Sequence, residues 1–412
     1  MTRRRLWIIS ELFYPEQTST GYFLSEIARG LASSWEVHVI CAQPTYSERG
    51  ITAPPREVWN GVSINRLRSS RFNKDRLILR LLNVITFTLS CLLFAIRRVH
   101  GSDIVLVVTN PPTVFPLTGF IARIKGAKSL LLVHDVYPDV LSVTGHLSPD
   151  GLRYRLWDRL VSWACRQFDR VIVLGRDMHA KLITKCGLET SKLVVIPNWG
   201  DTAGIQPRSR DDNIFAARHG MGDALTVQFS GNIGRTHDIE TLLASARSTV
   251  QRKDIQYWFI GYGGKAALLH GSDAQVPSNV HLLPRQPRED LGEMLSSADV
   301  IVIAFVPGMT GLSVPSRMYN VMAAGTAIIA MADPESELAL VVHECDCGWV
   351  IPPNDEAALT KLILHLASPQ GKFELRQKGI AARSTVCERY TFEHILSAYQ
   401  ELLRSVIAEE GS

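Results

Sequence analysis

Leu225-Thr226-Val227-Gln228-Phe229-Ser230-Gly231-Asn232-Ile233-Gly234-Arg235 is an apolar run that turns on two glycines and ends on a cation. It reads as a strand feeding a tight turn. The plan recurs downstream, with strands expected at Tyr257-Trp258-Phe259-Ile260, Val280-His281-Leu282-Leu283, Val300-Ile301-Val302-Ile303 and Ala327-Ile328-Ile329-Ala330, separated by helical patterns. Upstream, residues 200 to 223 are rich in Gly, Asp and Arg and read as a linker. Before them lie Leu6-Trp7-Ile8-Ile9, Val37-His38-Val39-Ile40, Asp103 to Val108, Leu130-Leu131-Leu132-Val133, Val171 to Leu174 and Val194-Val195-Ile196. Runs this apolar are buried on both faces, as in a parallel sheet covered by helices. The expectation is an α/β chain of two doubly wound, Rossmann-like domains facing a central cleft, 1–205 and 206–388. A C-terminal helix, 389–412, should pack across both and return to the N-terminal domain. Thr391 is its expected N-cap, and Phe392, Ile395, Tyr399, Leu403 and Val406 share one face.

Two stretches of the second half suit an anion. Gly231 and Gly234 let the backbone approach a ligand closely, Asn232 lies between them, and Arg235 can pair with phosphate oxygens. The alternative is an ordinary turn with a surface arginine. The second stretch is Ser313-Val314-Pro315-Ser316-Arg317-Met318-Tyr319-Asn320, running on to Gly325. It reads as a helix capped by Ser313, with Pro315 in its first turn, Arg317 near its N-terminus, Ser316 and Asn320 on one face, and Gly325 as its stop. The alternative is a solvated helix face. Backbone N–H groups at helix N-termini, with cations beside them, are a seat for phosphate. Together the stretches point to a diphosphorylated ligand, a nucleotide-sugar. Arg285, just past the Val280–Leu283 strand, is a further candidate donor contact. Gly261-Tyr262-Gly263-Gly264 is only a partial dinucleotide fingerprint.

In the first half, His134 and Asp135 follow directly on a buried strand. Glu16 and Gly21 lie in the loop after the first strand, with Gly21 opening a helix and Glu16 placed to act on an acceptor hydroxyl. A hydrogen-bonded structural role is the competing reading for each.

Composition bounds the rest. The chain has 412 residues, 46% hydrophobic and 20% charged, enough for two full cores. A net charge of +4 is too small to imply nucleic acid. Seven scattered cysteines argue against a disulfide framework and fit a reducing compartment; Cys345 and Cys347 lack the spacing of a zinc knuckle. No Asp-x-Asp pattern signals a metal-bridged diphosphate, and no signal peptide is expected at the basic start. Leu81 to Ile96 is apolar for 16 residues, short of the roughly 20 of a spanning helix. It reads either as a half-buried helix or as one lying in a membrane interface. The cluster Arg66, Arg68, Arg71, Lys74, Arg76 and Arg80 before it, and Arg97 and Arg98 after it, would then meet anionic lipid.

Pro15 to Gly21, Thr109-Asn110-Pro111-Pro112, Asp135-Val136-Tyr137-Pro138-Asp139, Ile196-Pro197-Asn198-Trp199, the Gly231 turn, and Val314 to Asn320 running into Ala323-Ala324-Gly325 are co-ordered along the chain. In this the sequence resembles the retaining GT-B glycosyltransferases of family 4, nearest the branch that builds colanic acid, capsule and O-antigen. The resemblance implies an N-terminal acceptor domain and a C-terminal domain for a nucleoside-diphosphate sugar, usually UDP-linked. It implies transfer with retention, no metal and no cofactor beyond the donor itself. His134, Asp135 and Glu16 would serve the reaction. Gly21, Gly231, Asn232, Gly234, Arg235, Arg285, Ser313, Ser316, Arg317 and Asn320 would hold the donor. The acceptor is expected to be polyprenyl-linked or a saccharide, the lipid-linked reading resting on the basic cluster and Leu81–Ile96, and the enzyme cytoplasmic, peripheral on the inner face of the plasma membrane. The family's glutamate pair is replaced by Leu312 and Asn320, and its loop arginine and lysine fall near Asn232 and His237. A sugar-nucleotide epimerase and a non-catalytic nucleotide-sugar scaffold are the competing functions; a dehydrogenase lacks its complete glycine turn.

Overall fold

The computed structural model describes residues 4–44, 52–72, 77–270 and 276–408. Lys74 and Arg76 of the basic cluster lie outside them. The chain divides into two compact units. One takes the residues up to Ser142, Leu147–Pro197 and those from Leu396 on; the other takes Val143–His146 and Asn198–Ile395. The change of unit falls at Pro197, ahead of the Gly-rich stretch. Gly200 N–H already donates to Tyr390 O, and Asp201 N–H to Asn320 Oδ1, both in the second unit.

The first unit holds strands β1 (Arg5–Ile9), β2 (Glu36–Cys41), β3 (Arg56–Trp59), β4 (Val62–Arg66), β5 (Ile104–Val108), β6 (Lys128–Val133), β7 (Arg170–Val173) and β8 (Leu193–Val195). Their order is β3-β4-β2-β1-β5-β6-β7-β8, and only β3 runs antiparallel to its neighbour. Helices α1 (Ser19–Leu31), α2 (Leu77–Arg98), α3 (Val114–Lys125), α4 (Asp139–Val143), α5 (Leu152–Gln167) and α6 (Arg176–Cys186) connect them. β5 is buried along its whole length, which is why its sequence, Ile-Val-Leu-Val-Val, has no polar position. Right-handed crossovers put α1 on one face of the sheet and α2, α3 and α5 side by side on the other, with α3 packed between its two neighbours. The order in which parallel strands are added reverses between β1 and β5, so the loops after these strands diverge and leave a crevice at their carboxyl ends.

α2 is longer than its apolar segment suggests and is docked along one side only. Phe87, Cys91 and Ala95 are buried, while Ile78, Leu81, Ile85, Leu89, Leu93 and Ile96 on the opposite side are exposed. Polar side chains fix it in place. Asn83 Nδ2 donates to Phe72 O, Ser90 Oγ to Arg68 O, and Thr88 Oγ1 bonds Thr113 Oγ1 at 2.7 Å.

The second unit holds β9 (Leu225–Asn232), β10 (Ile255–Tyr262), β11 (Val280–Leu283), β12 (Val300–Ala304), β13 (Ala327–Met331) and β14 (Gly348–Ile351), all parallel, in the order β11-β10-β9-β12-β13-β14. Its helices are α7 (Ile214–His219), α8 (Ile239–Ser248), α9 (Ala267–His270), α10 (Leu291–Ser296), α11 (Arg317–Ala323), α12 (Glu337–Glu344), α13 (Glu356–Leu366) and α14 (Pro369–Arg389). Here the order of addition reverses between β9 and β12. Leu225, Val227 and Phe229 of β9 enter a core closed by α8 and α13 through Leu242, Leu359 and Ile363. The last helix, α15 (Phe392–Ala408), starts where expected: His394 N–H donates to Thr391 Oγ1. Its Tyr399, Leu403 and Val406 are buried.

Candidate functional site

The loops that follow β9 and β12 meet at the switch point of the second sheet. Gly231, near the end of β9, has φ +123°, a conformation that favours glycine. A Cβ there would lie 3.2 Å from Arg317 Cζ. Arg317 opens α11, and its guanidinium lies beneath the turn, packed 5.0 Å over the Phe229 ring. Arg317 Nη1 donates to Ser230 O at 2.7 Å, and Nη2 lies 2.7 Å from His237 Nε2. A guanidinium can only donate, so His237 Nε2 accepts. The proton of that imidazole is then on Nδ1, 3.2 Å from Thr236 Oγ1. Burial holds His237 well below its ordinary pKa, helped by the charges of Arg317 and Lys265. Burial brings Arg317 down to about 10, still charged at neutral pH. Among the described residues it has no carboxylate partner.

A second cation braces the same turn. β10 pairs with β9 past Gly261 opposite Gly231 to Tyr262 opposite Asn232, and Ile233 N–H donates to Tyr262 O. The Gly261–Gly264 turn then delivers Lys265, whose Nζ donates to His237 O at 2.8 Å and to Glu240 Oε2 at 2.7 Å. His237 and Lys265 were not among the candidate site residues. In the sequence, His237 shows only as standing near the place of the family's loop lysine, and Lys265 only through the glycines of the turn before it.

Several expectations need correction here. Ser313 does not cap the helix, nor does Pro315 enter its first turn: α11 begins at Arg317 with Ser316 at the N-cap, and no side-chain bond closes that cap. Asn320 also serves the fold, its Oδ1 accepting the Asp201 N–H. Arg235 is exposed on the loop, and it is Arg317 that occupies the space under Gly231. Asn232 is exposed at the end of β9, with its amide against Gly234. Gly325 ends the helix as read, with φ +68°. Arg285 is exposed just past the edge strand β11.

In the first unit, the loops after β1, β5 and β6 lie together at the carboxyl ends of adjacent strands. Thr109, one residue past β5, accepts from His134 N–H at 3.1 Å and Asp135 N–H at 3.4 Å through Oγ1. That pair fixes the start of the β6 loop. The ring Nε2 of His134 is buried and has no partner among the described residues. Desolvation alone brings its pKa down to about 4, so the ring is neutral at physiological pH. Glu16 is buried, its N–H donating to Phe13 O. Gly21 N–H is taken by Thr18 Oγ1, the N-cap of α1, and is not an open anion donor. A Cβ on Gly21 would meet Glu16 O at 2.7 Å, so this glycine serves the turn itself. Asp139, which closes the Asp135–Asp139 motif, is committed to structure. Lys185 Nζ lies 2.6 Å from it and Lys181 Nζ 3.2 Å, and Lys185 also holds Asp158. Burial would raise the Asp139 pKa, but the two lysines lower it further than burial raises it. No group of three or more His, Cys, Asp or Glu among the described residues is placed to hold a metal ion.

Two doubly wound units, each with candidate residues at the carboxyl ends of its parallel strands, define an α/β protein of the GT-B class of glycosyltransferases. Residues 20–199 match the glycosyl transferase 4-like domain and residues 224–368 the glycosyl transferases group 1 domain, and the chain belongs to this family, the family 4 glycosyltransferases. It is 30% identical over 410 residues to WbjE of Pseudomonas aeruginosa, described as a probable glycosyltransferase, covering 98% of this chain and 99% of that one. It is 25% identical over 344 residues to WcaI of Escherichia coli K12, described as a putative colanic acid biosynthesis glycosyl transferase, covering 79% of this chain and 83% of that one. Among solved structures, Anabaena HepE in complex with UDP superposes with a TM-score of 0.71 at 13% identity, over 98% of this chain and all of that one.

Proposed function

We propose that this glycosyltransferase moves a hexose or N-acetylated amino sugar from a UDP-linked donor to a polyprenyl-linked or saccharide acceptor, with retention and without a metal, in the assembly of a surface polysaccharide. The reading rests above all on Arg317. A half-buried guanidinium with no carboxylate beside it among the described residues, set beneath a glycine turn at a switch point, is an arrangement suited to a diphosphate. The HepE structure with UDP and the description of WcaI support the donor class and the pathway class.

In the proposed reaction the acceptor O–H attacks the anomeric carbon on the face from which the diphosphate departs. The C1–O bond to phosphate breaks as the bond to the acceptor oxygen forms, and the acceptor proton passes to the departing phosphate oxygen. Arg317 and Lys265 stabilise the charge that builds on the diphosphate. His134, neutral and with an unpaired Nε2, holds a sugar hydroxyl, and Glu16 and Asp135 orient the acceptor. The enzyme works in the cytoplasm, touching the inner face of the plasma membrane through α2. The test is transfer from a panel of UDP-, GDP- and dTDP-sugars to a lipid-linked acceptor in the presence of chelator, with the anomeric product read by NMR. Transfer from a UDP-sugar with retained configuration is expected. Inversion, an absolute metal requirement, or UDP-sugar epimerised without acceptor would overturn the reading.

A further inference from the structure

The face of the first unit formed by α2, α3 and α5 carries a second set of apolar side chains, directed away from the core. Leu117, Phe120 and Ile124 of α3 are exposed at three- and four-residue spacing. So are Leu152, Leu156, Leu160 and Trp163 of α5, Leu152 at 72%. With the outer stripe of α2 they make three parallel apolar stripes. Phe120 and Trp163 join two of them, their rings 6.0 Å apart. Exposed apolar side chains grouped in this way mark an interaction surface.

The charges on this face have one sign. α5 presents Arg153, Arg155, Arg159 and Arg166, α3 presents Arg123, and α2 has Arg80 at one end with Arg97 and Arg98 at the other. The three helices contain a single acid, Asp158, which Lys185 holds. Where α3 and α5 end, a cavity of about 440 Å³ is lined by Arg123, Lys128, Arg166, Arg170 and Lys192, with Asp169 the one acid among its lining residues. Asp169 accepts from Ser129 N–H at 2.8 Å.

We propose that the α2–α3–α5 face is a monotopic docking surface for an anionic phospholipid bilayer, with the cationic cavity receiving a lipid phosphate. Apolar stripes enter the acyl boundary while arginines reach headgroup phosphates, the division of labour that interfacial helices use. Although Ile78–Arg98 is long and apolar enough to cross a membrane by length and composition, it lies on the bilayer: Asn83, Thr88 and Ser90 tie it to the folded unit. This extends the contact put forward above from one helix to three, and rests on that part of the reading.

The test is co-sedimentation of the full chain, without donor or acceptor, with phosphatidylglycerol/phosphatidylethanolamine vesicles against phosphatidylcholine vesicles. Binding to the anionic vesicles, weakened by salt, should fall at least 10-fold in Leu156→Glu/Trp163→Glu and likewise in Ile85→Glu/Leu89→Glu. Should either variant misfold, mid-chain brominated lipid gives a second measure: quenching in the native chain should exceed that in Trp163→Phe. If only the α2 variant loses binding, peripheral contact stands and the three-helix face is wrong. If the native chain stays in the supernatant, both membrane statements fall, while transfer to a water-soluble acceptor still judges the enzyme reading separately. A change from dimer to monomer in the α5 variant with vesicle binding intact would make the face an interface between copies and overturn the proposal.

Discussion

At the carboxyl end of β6 the buried group is His134, neutral because burial brings its pKa down to about 4. Beneath the turn at the carboxyl end of β9 the group is Arg317, half-buried, which keeps its charge with a pKa of about 10. Both groups lie at the carboxyl ends of parallel strands in doubly wound sheets, and burial lowers the pKa of both. What differs is what each loses by burial: a histidine can shed its proton near neutral pH, and an arginine cannot. The same architecture therefore presents an uncharged hydrogen-bonding ring in one unit and a fixed cation in the other.

Removing the cation should cost the most. Arg317→Ala is expected to lower kcat/KM by on the order of 100-fold, about 2.7 kcal/mol, with circular dichroism unchanged and Arg317→Lys partly active. Equal activity in all three would end the assignment of charge to this turn. Next is the pH dependence attached to the neutral ring. A histidine whose folded pKa is depressed from 6.5 to about 4 binds its proton more readily when unfolded. Its stabilisation is thus complete above pH 6.5 and is lost as pH falls toward 4, on the order of 2 kcal/mol. Urea unfolding at pH 7 and pH 4.5 should show this component in the native chain and not in His134→Gln; identical slopes would mean that the ring is solvated. Gly231→Ala combines a strained φ with a Cβ pressed on Arg317, and should reduce donor affinity about 10-fold by calorimetry with UDP. The smallest effect expected is that of Arg235→Ala, within about twofold of native kcat/KM. A loss as large as that of Arg317→Ala would restore the exposed loop residue to the phosphate site.

The strands were legible because burial on both faces leaves little room for polar residues: β5 and β12 are continuous Val, Ile, Leu and Ala runs, and β6 is one from Leu130 on. The β3–β4 hairpin was not read, since Arg56, Val58 and Asn60 at this edge are exposed and its pattern resembles a polar loop. The anion turn at Gly231 could be found from its glycines, yet the cation beneath it comes from 86 residues later. No local pattern says that Arg317 folds inward while Arg235 stays out; that is decided by the reversal between β9 and β12. The start of α11 was misplaced because Ser313 and Pro315 are good N-terminal residues that here belong to the approach loop. In α3 and α5, hydrophobic periodicity reports the stripe that meets the core, and the outer stripe hides within the same signal. His237 looked like a failed lysine, when its neutral Nε2 is what accepts from the guanidinium.

Residues from Leu396 onward belong to the first unit, and Tyr399, Leu403 and Val406 are buried. The unit that leaves the ribosome first therefore lacks a piece of its own interior until position 406 has been made, while residues 198–395 can close around themselves earlier. Synthesis runs from one end, but completion runs the other way.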